Sequence, residues 1–296
     1  MNSLFTGSCV ALVTPYTETG VNYPKLGELI ERQIDAGTDA ICICGTTGES
    51  VTQTASEHQK TVEFCVKQVN GRVKVLAGAG SNVTAEAIRL SRQAEDSGAD
   101  ALLIVTPYYN KATQQGLIRH YEAIAEQVHT PIVLYNVPSR TGVSFTAETY
   151  QALSRHPNIA GVKEASGNLS LAVHTRLACG PDFAIWSGND DQVVPMMSIG
   201  AAGVISVAAN LVPEVMRDMT HLCLEGSFQA AAELQLRYTE LLDALAIEVN
   251  PIPVKTALNL MGYEAGPLRL PLCEMTPDHL ETLRTALGRA GVCSFS

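Results

Sequence analysis

Lys163 follows the apolar stretch 159–162 in the run GVKEASGN, and a lysine at the end of a buried strand is seldom hidden without a chemical reason. Two-residue alternation puts Ile159, Gly161 and Lys163 on one face of that strand. An uncharged amine held away from water attacks a ketone, and the resulting imine draws electrons from the neighbouring carbon. Loss of a proton there gives an enamine, a carbon nucleophile toward an aldehyde. Burial favours the uncharged amine that the first step needs. Such a cycle also moves protons. Tyr135, which ends another apolar run in YNVPSRTG, is suited to exchange one at the carbinolamine oxygen, with a threonine hydroxyl linking it to a second tyrosine. Each residue by itself has a plainer reading, a lysine reaching solvent or a tyrosine at the edge of a core. The pairing of the two carries the chemical one.

Other polar groups gather where strands give way to loops. GTTGES, with Thr46, Thr47 and Glu49, is flanked by glycines, so its backbone N–H groups suit a carboxylate. It has neither the GK[ST] of a phosphate loop nor the GxGxxG of a dinucleotide turn, which leaves both nucleotide classes unsupported. GAGS at 78–81 reads as a tight turn. Arg140, in PSRTG, offers a planar fork that grips a carboxylate through two hydrogen bonds.

The elements that must position these groups recur along the chain. Short strand-like runs at 9–13, 40–44, 73–77, 101–105, 132–135, 159–163, 183–186 and 203–207 number eight. Between them lie helical patterns at 23–36, 55–69, 85–97, 116–128, 147–156 and 169–179. IDAGTDAICI, AEDSGADALLI and SIGAAGVISV repeat one step, a helix end, a glycine, then a strand. Several runs are apolar throughout, as parallel strands covered on both faces are. The expected fold is α/β, a closed (β/α)8 TIM barrel with a C-terminal helical appendage, since such barrels reach this length as one unit. Helices at 213–224, 228–247, 254–261 and 277–288 follow. The barrel is expected to occupy residues 1–224 and the helical region 225–296.

A net charge of −10, with 46% hydrophobic and 17% charged residues, describes a globular chain without a basic footprint for nucleic acid or anionic lipid. No stretch approaches the ~20 apolar residues of a membrane span. MNSLFTGSCVALVTPY lacks the basic start and long apolar core of a signal peptide. The eight cysteines show no CxxC and no histidine at ligand spacing, so no metal site is expected of them, and they read as buried thiols of a cytoplasmic protein.

GTTGES, TPYYN, YNVPSRTG, GVKEASGN, SGNDD, GVISVAAN and NPIPVK, in that order between residues 5 and about 262, resemble the dihydrodipicolinate synthase and N-acetylneuraminate lyase superfamily. The resemblance implies Lys163 as the Schiff-base lysine, Tyr135 as general acid/base, Thr46 as the linking hydroxyl and Tyr109 as the second tyrosine, inserted from a neighbouring subunit of a tetramer built as a dimer of dimers. Thr47, Gly188 and the Ile205 carbonyl would adjoin pyruvate, and Arg140 would meet the second substrate's carboxylate. An arginine there is typical of the synthase branch, which joins pyruvate to L-aspartate 4-semialdehyde without a metal or organic cofactor. Ser50, His58, Asn82, Glu86 and Tyr108 match positions that bind L-lysine as an inhibitor in regulated relatives, although Ala55 stands where some of those carry histidine. The rival expectations are another pyruvate aldolase, acting on N-acetylneuraminate or a 2-keto-3-deoxy sugar acid, and a non-catalytic barrel that binds pyruvate or lysine.

Overall fold

Eight parallel strands close on themselves: β1 (Gly7–Ala11), β2 (Ala40–Ile43), β3 (Lys74–Gly78), β4 (Ala101–Val105), β5 (Ile132–Asn136), β6 (Ile159–Glu164), β7 (Ala184–Ser187) and β8 (Gly203–Ser206). The structure is a computed structural model and describes residues 4–293. Pairing of Gly7 with Gly203 and of Cys9 with Ile205 joins first strand to last. The ranges expected for the two regions extend at either end beyond the described residues.

Alternation along the strands separates two cores. Cys9, Cys42, Leu103, Val133, Trp186 and Ile205 fill the barrel, with Phe5 stacked on Trp186 at 4.9 Å between ring centroids. Ile41, Leu102, Leu134 and Val162 face outward and meet the helices. Those helices begin where local chemistry dictates. Thr54 caps α2 (Ala55–Val69) by accepting the Glu57 amide, and the Glu57 carboxylate accepts the Thr54 amide in return.

The sequence pattern locates the eight strands, with two kinds of correction. The first strand leaves the ladder earlier than its apolar run suggests, because the Val13 amide is taken by the Asn210 side chain at 3.1 Å. In β6 the register shifts: Ile132 pairs with Ile159, but Val133 pairs with Gly161. The extra residue, Ala160, makes a bulge, so Ile159 joins the outer core while Gly161 and Lys163 stay in line with the inward-facing Val133 and Tyr135. The expectation of one shared face for Ile159, Gly161 and Lys163 is corrected by that bulge. A hairpin of Tyr16–Thr17 with Gly20–Val21 is too short to leave a period in the sequence.

After α8 (Pro213–Leu224) come α9 (Phe228–Ala244), α10 (Ile252–Leu260) and α11 (Pro277–Arg289). α9 ends three residues sooner than the expected 247, and the freed segment turns toward the mouth of the barrel. Among the described residues no helix is long and apolar enough to cross a membrane. The expected burial of all eight cysteines also needs correction. Cys9, Cys42, Cys44, Cys65 and Cys223 are buried, Cys179 and Cys293 are half-buried, and Cys273 is exposed, all as free thiols. Burial pushes the Cys42 thiol up to about 11, which keeps it protonated and unreactive.

Candidate active site

Tyr135 and Lys163 are cross-strand neighbours on β5 and β6, and Asn136 and Glu164 are the next pair. The first pair faces into the barrel mouth and the second faces outward. Lys163 is 5% exposed, and its Nζ lies 4.5 Å from the Tyr135 ring centroid. On the outer side the Glu164 carboxylate accepts hydrogen bonds from Asn136 Nδ2 (3.1 Å), the Tyr150 hydroxyl (2.8 Å) and the Ser166 amide (2.8 Å). These donors replace the water that a buried carboxylate gives up, and they pin the ends of both strands. Sequence reasoning did not foresee this role for Glu164, because its partners Asn136 and Tyr150 come from two other elements.

Room beside the amine depends on Gly188. A Cβ there would stand 2.5 Å from the Ala165 Cβ and 3.1 Å from the Lys163 Cε, so a larger residue would displace the lysine stem. The Gly188 amide donates to the Glu164 carbonyl at 2.8 Å, which ties β7 to the same corner.

Two cavities meet at Tyr135. One, of about 370 Å³, is lined by Lys163, Tyr135, Thr47, Arg140, Gly188 and residues of the segment after α9. Here Thr47, 2% exposed, accepts a hydrogen bond from Asn250 Nδ2 at 3.0 Å, and the Asn250 carbonyl accepts Arg140 Nη2 at 3.1 Å. Asp190 closes the floor, accepting the Val207 and Ala208 amides at 3.0 and 2.8 Å at the end of β8, while burial raises its carboxyl above the usual range.

The second cavity, of about 400 Å³, is lined by Tyr135 with Thr46, Ser50, His58, Glu86 and Tyr108. His58 Nε2 sits 2.8 Å from the Gly78 carbonyl, and burial holds its pKa below the ordinary value. The Glu86 carboxylate is gripped by Arg89, through Nε at 2.7 Å and Nη2 at 2.5 Å, which lowers its pKa. Asn82 lies outside this cavity, its carbonyl accepting from Asn110 Nδ2 at 3.2 Å. Tyr109 lines neither cavity. Its backbone is left-handed at φ 71 and its side chain is 90% exposed. Ile205 is wholly buried in the barrel interior beside Cys9.

GTTGES is fastened from a distance. Glu49, with a left-handed φ of 52, is paired inside the protein with Lys255 of α10, Nζ to Oε1 2.7 Å, at 0% and 1% side-chain exposure. Lys255 also donates to the Pro267 carbonyl at 2.7 Å and lies 4.6 Å over the Tyr16 ring, while the Arg269 amide donates to Glu49 at 3.1 Å. Both Glu49 oxygens accept a hydrogen bond, and the Lys255 ammonium has two acceptors and a ring face, the kind of pairing under which a buried ion pair persists. Sequence reasoning quoted NPIPVK but gave Lys255 no partner, since none lies nearby in the chain.

The sequence model of the Dihydrodipicolinate synthetase family matches residues 4–290. The 4-hydroxy-tetrahydrodipicolinate synthase of Thermoanaerobacter pseudethanolicus is 53% identical over 290 residues, 98% of each chain. The chloride-inhibited dihydrodipicolinate synthase of Acinetobacter baumannii, solved in complex with pyruvate, superposes with a TM-score of 0.95 at 42% identity over 97% of this chain and 99% of that one. The enzyme of Cyanidioschyzon merolae with lysine bound gives 0.95 at 41% identity over 99% and 100%.

Proposed function

The chain belongs to the Dihydrodipicolinate synthetase family, and we propose that Lys163 is the amine through which it works. It condenses pyruvate with L-aspartate 4-semialdehyde to 4-hydroxy-tetrahydrodipicolinate and water, a lyase reaction of lysine and diaminopimelate biosynthesis. The observation that carries the assignment of Lys163 is its buried amine beside Tyr135, in a cavity that also holds Thr47 and Arg140.

The amine attacks the keto carbon of pyruvate, and the carbinolamine loses water to give the imine. Tyr135 supplies and recovers the protons of that exchange, with Thr46 as its link toward a second tyrosine. Proton loss from the methyl group gives the enamine, whose carbon attacks the aldehyde. The amino group of the joined product then closes on the imine carbon and releases Lys163. Thr47 and Gly188 adjoin the pyruvate carboxylate, the Ile205 carbonyl lies toward the reacting centre, and the Arg140 fork takes the carboxylate of the semialdehyde. The imine is itself the electron sink, so the cycle calls for no organic cofactor or metal.

We divide the chain after residue 224, with Lys163, Tyr135 and Arg140 on the barrel and Asn250 and Lys255 on the helical region that walls the site. The working assembly is a homotetramer, a dimer of dimers. Two separate apolar surfaces support it: Tyr109 and Val51, 90% and 84% exposed, near the second cavity, and Leu169, Val173 and Leu177, four residues apart on α6 (Leu169–Cys179). Tyr109 of each subunit completes its neighbour's proton relay. Free cysteines suit the cytoplasm. L-Lysine inhibits through Ser50, His58, Glu86 and Tyr108 of the second cavity together with Asn82, which follows the lining Ser81, and the Arg89 grip on Glu86 competes with a cationic ligand.

Intact-mass spectrometry after pyruvate and borohydride tests the mechanism. Labelling mapped to Lys163, with turnover of aspartate semialdehyde in a coupled assay, is the expected result. Labelling without turnover of that aldehyde points to a different acceptor, and an unlabelled native protein removes the imine.

A further inference from the structure

We infer that Asn250 is a positioning residue: its side-chain amide sets the direction of the Thr47 hydroxyl and thereby the affinity for the keto-acid carboxylate. A threonine hydroxyl has one hydrogen to give and lone pairs to receive. Asn250 Nδ2 donates to Thr47 Oγ1 at 3.0 Å, which occupies the oxygen and leaves its hydrogen to point elsewhere. Thr47 is 2% exposed, so that hydrogen has little water to turn to, and both residues line the cavity that holds Lys163. A carboxylate in that cavity is the acceptor that fits. Asn250 Oδ1 is shielded and without a hydrogen-bond partner among the described residues. The amide is therefore spent on Thr47 and on no competing contact.

The same residue serves the other substrate by a separable route. Its backbone carbonyl accepts Arg140 Nη2 at 3.1 Å, and a side-chain substitution leaves that carbonyl in place. The inference thus rests on the assignment of Thr47 to pyruvate and of Arg140 to the semialdehyde, and it predicts that the two affinities come apart.

Asn250→Asp keeps the shape and reverses the hydrogen bond, because a carboxylate accepts from Thr47 and turns its hydrogen away from the substrate. The expected result is a pyruvate KM raised roughly 10- to 100-fold, the cost of a lost hydrogen bond to a charged group, with the semialdehyde KM and kcat at saturating pyruvate close to the parent's. Asn250→Ala, which removes the donor without adding charge, raises the pyruvate KM less and guards against misfolding of the first variant, with melting temperature followed for both. Thr47→Val is the reference: it raises the pyruvate KM in the parent and adds nothing in the Asn250→Asp background. If Thr47→Val leaves the pyruvate KM unchanged, the assignment of Thr47 falls and the inference with it. If Thr47→Val acts but neither Asn250 variant shifts the pyruvate KM beyond twofold, or if both substrates' KM values rise together, the inference alone is overturned.

Discussion

Tyr135 and Lys163 are held by their own strands and by a carboxylate one residue further on, whereas the GTTGES loop opposite them is held by the far end of the chain. Asn136 and Glu164 bond across 28 residues of sequence, but Asn250 reaches Thr47 across 203 and Lys255 reaches Glu49 across 206. The contrast separates two tasks. Lys163 and Tyr135 sit on a ladder whose spacing any parallel barrel supplies. Thr47 and Glu49 sit on a loop whose position depends on how the appended helices pack. Damage to the first should therefore appear in kcat, and damage to the second in stability and KM.

Tyr135→Phe tests the first half most severely. It removes the hydroxyl and keeps the ring beside Lys163, and kcat should fall by roughly 10²- to 10⁴-fold with the melting temperature almost unchanged. A variant that melts early would place Tyr135 among the structural residues instead. Lys255→Met should do the opposite by stranding the Glu49 carboxylate in the interior. Breaking one partner of a buried pair costs about 3–5 kcal/mol, readable by urea unfolding, whereas replacing Glu49 and Lys255 together by apolar residues of like size should recover most of that loss. Failure of the double variant to recover would mean that the charges organise the loop beyond their mutual attraction.

Glu164→Gln probes the support behind the strand ends. Its amide cannot accept as many of the converging donors, so a loss of about 1–3 kcal/mol is expected, with kcat falling because the Tyr135 and Lys163 corner loosens. An unchanged kcat would free the ladder from that support. The smallest effect concerns a histidine in neither region. Burial holds His120 at about 4, below the ordinary imidazole value of 6.5. Between those values the unfolded chain takes up a proton that the folded one refuses, so the contribution is complete above about pH 6.5 and is lost as pH falls toward 4. The slope is at most about 1.4 kcal/mol per pH unit. Melting temperature against pH should flatten there in His120→Gln, and His58, lowered by burial in the same direction, should account for part of what remains.

The strand-end residues were legible because alternation, apolar runs and glycines are local properties of a chain. Lys163 and Tyr135 could be placed at the mouth of a barrel from those signals, and Arg140 and Thr47 near them. The bulge at Ala160 was not legible, since one inserted residue changes a face without changing composition. Tyr109, exposed on this chain, carries no local sign of what covers it.

The amino-acid sequence by itself determined the eight-strand alternation and the types and order of the residues at the strand ends, because hydrophobic period and backbone preference act over a few residues. The tertiary structure decided which side of β6 Ile159 takes, and that Asn250 and Lys255 would complete the loop of Thr47 and Glu49. Those pairings are made by helices whose packing against the barrel is set by the summed burial of many side chains, and no short stretch of sequence contains that sum.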